Sequence, residues 1–113
     1  MPYGFTNKFV REEINTGYVY SMWSGRLVMY RGTAYTSIHE GLANFITESG
    51  KRLQCSVEPN VVYNAIVWLV ERDDEFAKRI LIDYEEKQIS KLQEKIDNHR
   101  HKIRLIEEGV LAK

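Results

Sequence analysis

The chain has 113 residues, which is the length of a single domain. Its 16 basic and 16 acidic side chains cancel, with four of each before residue 50 and twelve of each after it. This neutral balance argues against polymeric DNA or RNA as a partner, because binding to a nucleic-acid backbone depends on a basic surface.

One cysteine, Cys55, leaves no internal disulfide framework and is typical of a protein from the reducing cytoplasm. The amino terminus shows no charged segment followed by an apolar run, so we expect no signal peptide. The one long apolar stretch, residues 61–70, is interrupted by Asn64 and has about half the length of a membrane span. Together these features predict a soluble cytoplasmic protein.

The first third of the chain predicts a three-stranded antiparallel meander. Residues 1–7 are expected to form a loose arm, and strands are expected at residues 8–14, 17–23 and 26–31, the last two rich in strand-forming side chains. Asn15-Thr16-Gly17 predicts a turn between the first two strands, and Ser24-Gly25 predicts a two-residue hairpin turn. Gly32-Thr33 is expected to end the third strand.

A short helix is predicted over residues 37–49. Ser37 and Glu40 have the spacing of a capping box, in which the serine accepts a hydrogen bond from a backbone amide and the glutamate reaches back. Gly50 suits the position after the last helical turn. The apolar residues that follow the cap fall on one helical face: Ile38, Leu42, Phe45 and Ile46. We expect this face to pack on the sheet.

Residues 52–57 alternate apolar and polar side chains, which predicts a half-buried strand followed by a turn at Pro59-Asn60. Cys55 lies in this strand, so we interpret it as a core residue rather than a nucleophile. Residues 61–70 are ambiguous, because their β-branched content favours a strand while their length and lack of breakers also permit a helix. We predict a strand over residues 65–70, buried on both faces, with residues 61–63 paired or irregular.

Residues 73–108 predict one long helix, capped by Asp73 or Asp74 and ended by Gly109. At about 1.5 Å per residue this helix spans roughly 54 Å, well beyond the small body that precedes it. The predicted fold class is therefore α+β. A β-rich body at residues 1–72 includes a small antiparallel sheet and the short helix, and it continues within the same domain into the long amphipathic helix at 73–109 and a tail at 110–113.

Beyond Glu86 the apolar side chains of this helix narrow to a stripe with coiled-coil spacing. We expect its members to form an oligomer interface: Ile89, Leu92, Ile96, His99, Ile103 and Ile106. Such a stripe pairs with a second copy or lies along another protein, and we favour a dimer-based homo-oligomer. His99 is interpreted as a packed imidazole, with a pH-sensitive or register-fixing role as the alternative.

No motif for catalysis or metal binding is present. The chain has no Walker-type phosphate loop, dinucleotide fingerprint, Gly-x-Ser-x-Gly motif or Cys/His metal spacing. His99 and His101 are about 200° apart around a helix and cannot chelate one ion together. The carboxylates of Asp73 and Asp74 are explained by helix capping. We therefore expect no enzymatic activity, metal or other cofactor.

Aromatic and arginine side chains cluster in the predicted meander and at the strand-to-helix junction. Aromatic faces stack on bases and arginine forks bind phosphates, so a pocket lined in this way would hold a nucleotide-sized anion in a protein that is neutral overall. The candidate ligand-binding residues are Tyr18, Trp23, Arg26, Trp68 and Arg72. An alternative stays open, in which the tyrosines cover a minor core and the arginines pair with neighbouring glutamates.

Residues 68–78 read Trp-Leu-Val-Glu-Arg-Asp-Asp-Glu-Phe-Ala-Lys and are followed at 82–86 by Ile-Asp-Tyr-Glu-Glu and a charged helix. With a β-meander before it, this layout over residues 17–108 resembles the phage-encoded anti-defence sponges of the Thoeris type. The resemblance implies a symmetric oligomer that binds cyclic ADP-ribose isomers made by bacterial immune enzymes, and in some members cyclic oligonucleotides, without cleaving them.

On this resemblance, the chain is expected to sequester a small cyclic nucleotide signal at a subunit interface in the host cytoplasm. Arg100 and Arg104 would join the pocket where the end of one helix approaches a neighbouring subunit. Two other interpretations remain, a phage inhibitor that docks on a host defence complex and an assembly subunit that binds no ligand.

Overall fold

The computed structural model describes residues 12–112, which form an antiparallel sheet followed by a long helix. In chain order the elements are β1 (Glu13–Trp23), β2 (Arg26–Thr36), β3 (Leu42–Thr47), β4 (Arg52–Ser56), β5 (Val67–Leu69) and α1 (Asp74–Glu107). The sheet has the order β4-β3-β2-β1-β5, with every neighbouring pair antiparallel. The α+β fold class predicted from the sequence is confirmed.

The β1–β2 hairpin is the longest pairing of the sheet and turns at Ser24-Gly25, as predicted. Both turn residues have positive φ, 51° and 77°, which matches the twist of two-residue hairpins. The predicted turn at residues 15–17 is wrong, because these residues belong to β1 and pair with residues 32–34 of β2. The predicted end at Gly32-Thr33 is wrong for the same reason, since β2 continues to Thr36. The strand predicted at residues 8–14 lies mostly outside the described residues.

The sheet curls until its two edge strands meet. The Trp68 indole N–H of β5 donates to the Ser56 carbonyl of β4 at 2.7 Å, and the Asn60 amide donates to the Trp68 carbonyl at 2.9 Å. The concave face encloses a core to which each strand contributes: Val19, Ala34, Ala43, Phe45, Cys55 and Trp68. Among the described residues, the side chains that enclose this core all come from one sheet and the loops beside it.

Gly17 and Gly32 face each other across the hairpin at the place where the sheet bends. A Cβ atom added to Gly17 would lie 2.3 Å from the Leu69 carbonyl oxygen, and one added to Gly32 would lie 2.1 Å from the Ile46 carbonyl oxygen. Glycine in a strand interior often marks such a bend, because only its hydrogen fits between the approaching backbones. This pair allows β3 and β5 to close in on the central hairpin.

The predicted helix at residues 37–49 is wrong, because this segment forms a turn and then β3. The Ser37 hydroxyl does accept from a nearby amide, that of His39 at 2.9 Å, but it caps a short turn that continues through Gly41 at φ 81°. Residues 42–47 then pair with β2 on one side and with β4 on the other. Ala43 and Phe45 alternate into the core, so sheet pairing on both edges outweighs the helical periodicity.

Residues 61–70 contain a strand, as predicted, but it is shorter than the predicted strand at residues 65–70. β5 contains only Val67–Leu69, and all three of its side chains are buried, as expected of a strand covered on both faces. Before it, Asn64 and Ala65 have positive φ in a tight turn closed by the Tyr63–Ile66 bridge. The strand predicted at residues 52–57 is confirmed as β4, and Asn60 is a turn residue at φ 68°.

α1 begins where predicted and packs its first turns on the convex face of the sheet. The Asp73 carboxylate caps the helix by accepting from the Phe76 amide at 3.0 Å. A second apolar cluster joins Tyr20, Val67, Leu69 and Ala77, with the partly buried Phe76, Ile80 and Leu81 around it. Beyond these turns the helix projects from the body. The molecule is therefore elongated, with extents of 70 × 34 × 24 Å. Its radius of gyration is 20.1 Å, whereas a compact domain of this length has a radius of gyration of about 13 Å.

Replacing Gly32 tests the bend. Gly32→Ala is expected to lower the free energy of unfolding by about 1–3 kcal/mol, because the new methyl group collides with the β3 backbone and with the Phe45 ring. Gly25→Asn is the matched control, since a hairpin turn accepts asparagine at positive φ, and it is expected to cost less than about 0.5 kcal/mol. Urea denaturation measures both changes, and equal losses would contradict the role assigned to Gly32.

Candidate functional site

The strongest candidate site is a polar groove on the convex side of the β1–β2 hairpin. It has a volume of about 290 Å³ and is bounded by β1, β2 and the residue that follows β5. Its lining residues are Thr16, Gly17, Tyr18, Arg31, Gly32, Thr33, Glu48 and Val70. The groove gains its polar character from the hydroxyl groups of Thr16 and Thr33, the guanidinium of Arg31 and the carboxylate of Glu48.

Tyr18 and Arg31 are cross-strand partners in this groove. The Arg31 guanidinium lies 5.8 Å from the centre of the Tyr18 ring, a cation–π contact that holds an exposed arginine against a half-buried tyrosine. Among residues 12–112 Arg31 forms no ion pair within 4.0 Å, so its charge is available to an anion. Glu48 lies beside Arg31, since its amide donates to the Arg31 carbonyl at 2.9 Å, and it adds a carboxylate that suits a hydroxyl or amino group of a ligand.

A second cavity adjoins this groove at Val70, which lines both. It has a volume of about 460 Å³ and contains Arg72 and Asp73 at the junction between β5 and α1. Two of the predicted site residues, Tyr18 and Arg72, therefore lie in neighbouring depressions of one surface.

Arg72 forms an ion pair with Asp74, the first residue of α1. Its Nε and Nη2 atoms donate to the two carboxylate oxygens of Asp74, each at 3.1 Å. The Tyr20 hydroxyl donates to Asp74 Oδ1 at 2.7 Å and accepts from the Asp73 amide at 3.2 Å. The bond from Arg72, followed by that from Tyr20, lowers the pKa of Asp74 to about 2. Burial, with the bond to Asp74 second, raises the pKa of Tyr20 to about 12.

Trp68 is not available for stacking on a ligand. Its side chain is about 1% exposed, packs against Phe45 with ring centres 6.3 Å apart and has its indole N–H bonded to Ser56. The structure therefore places Trp68 in the core, where it closes the space between β4 and β5, and not in the groove.

Trp23 and Arg26 lie at the tip of the hairpin, away from the groove. Trp23 is 62% exposed, and the Lys51 ammonium lies 4.6 Å from its ring centre and 5.1 Å from that of Tyr30. Arg26 is exposed and pairs with Trp23 in the strand register. The structure thus separates these two residues from Tyr18, although all three are close in sequence.

Arg100 and Arg104 lie on the projecting part of α1, where every side chain from residue 89 onward is exposed. Arg104 approaches the His101 ring nitrogen at 3.5 Å. The predicted stripe residues around them are half to three-quarters exposed, from 48% at Ile96 to 75% at Ile106. His99 is also exposed. These arginines lie far along the helix from the groove of their own chain.

The described residues hold no cluster of three or more His, Cys, Asp and Glu side chains that would bind a metal ion. Cys55 is buried, and burial raises its pKa to about 12, which disfavours the thiolate that a nucleophile needs. The interpretation of Cys55 as a core residue is confirmed. Within residues 12–112, no helix combines the length and the apolar character needed to cross a membrane.

Comparisons with protein-family models, with curated proteins and with solved structures find no match for this chain.

Arg31 is the functional candidate that the sequence analysis did not select. The predicted turn at Ser24-Gly25 already determines which residues face each other, because positions in a two-residue hairpin pair symmetrically about the turn. Extending that register from Trp23 and Arg26 places Arg31 opposite Tyr18, as the structure has it. The position of the turn, rather than the residue composition, therefore predicts that Arg31 lies opposite Tyr18.

The Asp74 carboxylate makes stability depend on pH in a defined window. Because its pKa falls from 3.8 to about 2 on folding, its contribution is complete above about pH 4 and is lost as the pH falls toward 2. We expect the Tm of the wild type to drop more steeply between pH 4 and 2 than that of Asp74→Asn. Glu71→Gln, at an exposed carboxylate nearby, is the control and should keep the wild-type slope; parallel curves for all three proteins would contradict this role.

Proposed function

We propose that this protein is a non-enzymatic binding protein that sequesters a small cyclic nucleotide signal as a homo-oligomer. The ligand class is a cyclic ADP-ribose isomer or a cyclic oligonucleotide, in keeping with the resemblance to phage anti-defence sponges, and the site of action is the host cytoplasm. The observation that carries the proposal is the Tyr18–Arg31 pair at the edge of a polar groove.

The chemistry of the groove suits an anion of nucleotide size. Arg31 offers a planar donor fork for a phosphate, and the exposed part of the Tyr18 ring offers an apolar face. Glu48 and the two threonines offer acceptors and donors for ribose hydroxyl groups and base edges. A volume of about 290 Å³ lies at the lower end of small-molecule sites, so the adjoining cavity at Arg72 completes the space for a cyclic dinucleotide-like ligand.

Self-association is supported by the exposed stripe of α1. Isoleucine and leucine side chains recur at coiled-coil spacing over residues 89–106 and remain half to three-quarters exposed in one copy of the chain. A helix with a continuous exposed apolar stripe is expected to cover it with another helix.

A second candidate function is inhibition of a host complex by direct docking. The observation that favours it is the exposed aromatic tip of the hairpin, where Trp23 lies beside Lys51, since tryptophan is enriched at the centres of protein interfaces. This function requires no small ligand and would use the hairpin tip rather than the groove.

Removing the charge of Arg31 tests the ligand site. Arg31→Gln is expected to weaken binding at least about tenfold, because a charge-assisted bond to phosphate is lost. Arg52→Gln is the matched control, since Arg52 is an exposed arginine that lines neither the groove nor the adjoining cavity. Calorimetric titration against a panel of cyclic ADP-ribose isomers and cyclic oligonucleotides measures the effect. Binding of no panel member, or equal binding by Arg31→Gln and the wild type, contradicts the proposal.

Serine substitutions at two neighbouring residues in the last turns of α1 test self-association. Ile106→Ser removes a stripe residue and is expected to raise the dissociation constant of the dimer at least about tenfold, because an apolar side chain leaves the interface. Leu105→Ser, a similarly exposed apolar residue on another face, should leave the constant within about twofold. Sedimentation equilibrium over a range of concentrations measures both. A wild-type protein that stays monomeric, or equal effects of the two substitutions, contradicts self-association.

A further inference from the structure

An apolar groove runs between the tip of the β1–β2 hairpin and the first half of α1. It has a volume of about 530 Å³, and its apolar lining comes from Met22, Leu27, Ala65, Leu81, Ile82 and Ile89. Met22, Ile82 and Ile89 are each more than half exposed. At the rim of the groove lie two carboxylates, those of Glu85 and Glu86, and one ammonium group, that of Lys78, so the rim carries a net negative charge.

The groove is continuous with the helix stripe. Ile82 and Ile89 line the groove and are also the first two members of the seven-residue isoleucine repeat that continues through Ile96 and Ile103. One apolar surface therefore extends from the hairpin tip along the whole projecting helix. A partner that covers the stripe would also reach the groove.

Charge is strongly segregated along α1 although the chain is neutral. Residues 73–86 carry six carboxylates and two basic side chains, whereas residues 95–104 carry four basic side chains, one carboxylate and two histidines. Two copies aligned in parallel would place the acidic segments together and the basic segments together. An antiparallel pair places the basic segment of each copy beside the acidic segment of the other.

We propose that two copies of this chain pair antiparallel through α1, so that the carboxyl-terminal end of each helix occupies the apolar groove of the other copy. The pair then contains two identical contacts between a helix end and a groove, one at each end of the interface, as two-fold symmetry requires. The occupant of the groove is the basic, isoleucine-bearing segment of a second copy rather than an unrelated peptide, because that segment matches the acidic rim in charge and the groove in apolarity.

The heptad pattern gives the register of this pair. A register that combines apolar contacts with complementary charges places Ile82 level with the partner's Ile106 and Leu92 level with the partner's Ile96, so the two-fold axis passes at the level of Glu94. Glu86 then lies next to the partner's Arg100 in both halves of the interface. In this register α1 of each copy ends at Glu107, level with the partner's Leu81, and the exposed Val110 and Leu111 follow near the apolar surface of Met22 and Leu27.

This inference rests on the homo-oligomer of the proposed function and adds its direction and contact surface. The two can fail separately. A parallel dimer overturns the inference and leaves nucleotide binding untouched, whereas a protein that binds no nucleotide overturns the proposed ligand and leaves the antiparallel pair in place.

Distances between spin labels on the two copies test the direction. Glu94→Cys, His101→Cys and Glu108→Cys place labels at seven-residue intervals on the helix face opposite the stripe, and the buried Cys55 remains unlabelled in a wild-type control. An antiparallel pair separates equivalent labels along the axis by about 0, 21 and 42 Å, so the measured distance must rise from position 94 to position 108. Equal distances at the three positions, or the absence of any intermolecular distance at concentrations up to the millimolar range, overturn the inference.

Charge reversal tests the register. Glu86→Arg and Arg100→Glu alone are each expected to raise the dissociation constant about tenfold, because each turns two symmetric attractions into repulsions. The double variant, with both changes in every copy, should return to within about threefold of the wild type. Lys91→Glu, an exposed charge away from the stripe, is the control and should change the constant less than threefold. Failure of the double variant to recover overturns the contact between Glu86 and the partner's Arg100.

Discussion

The contact of Tyr20 with the start of α1 fixes the helix to the sheet. The ring lies in the cluster on the convex face. Its hydroxyl accepts from the Asp73 amide and donates to the Asp74 carboxylate, which also accepts from Arg72. Along with the packing of Ala77, this is where the direction of the long helix is determined, because the later turns lie beyond the body. The apolar groove, the exposed stripe and the cavity at Arg72 all take their positions from this junction.

Local signals predicted the elements that depend on local chemistry. The hairpin turn, the cap at Asp73 and the uninterrupted helix were found, since each depends on side chains within a few residues. In residues 37–49 the serine, the glutamate and the apolar spacing all fit a helix. The segment nevertheless contains a strand, because it pairs with β2 on one edge and with β4 on the other. Pairing partners that are distant in the chain leave no local trace, so propensity was overridden by tertiary contacts.

The same limit applies to the candidate site. Aromatic and arginine side chains bind nucleotides and also build cores and helix caps, and residue type does not separate these roles. Trp68 is the centre of the core and Arg72 is bonded to Asp74, which agrees with the open alternative that these residues are structural. Tyr18 remains in a groove, and its partner Arg31 becomes visible only when the hairpin register is extended from the turn. Position in a register therefore carries more information about this site than composition does.

The distribution of charge along α1 bears more on the choice of partner than the neutral net charge of the chain does. Averaged over 113 residues, the charges exclude a basic field and argue against a nucleic-acid partner. Resolved along α1, they form an acidic segment near the body and a basic segment near the tip, with an apolar stripe joining the two. Such a helix is complementary to its own reverse, and this complementarity requires no excess charge of either sign. In the proposed pair, a small body with a limited core would bury apolar surface that stays exposed in a single copy.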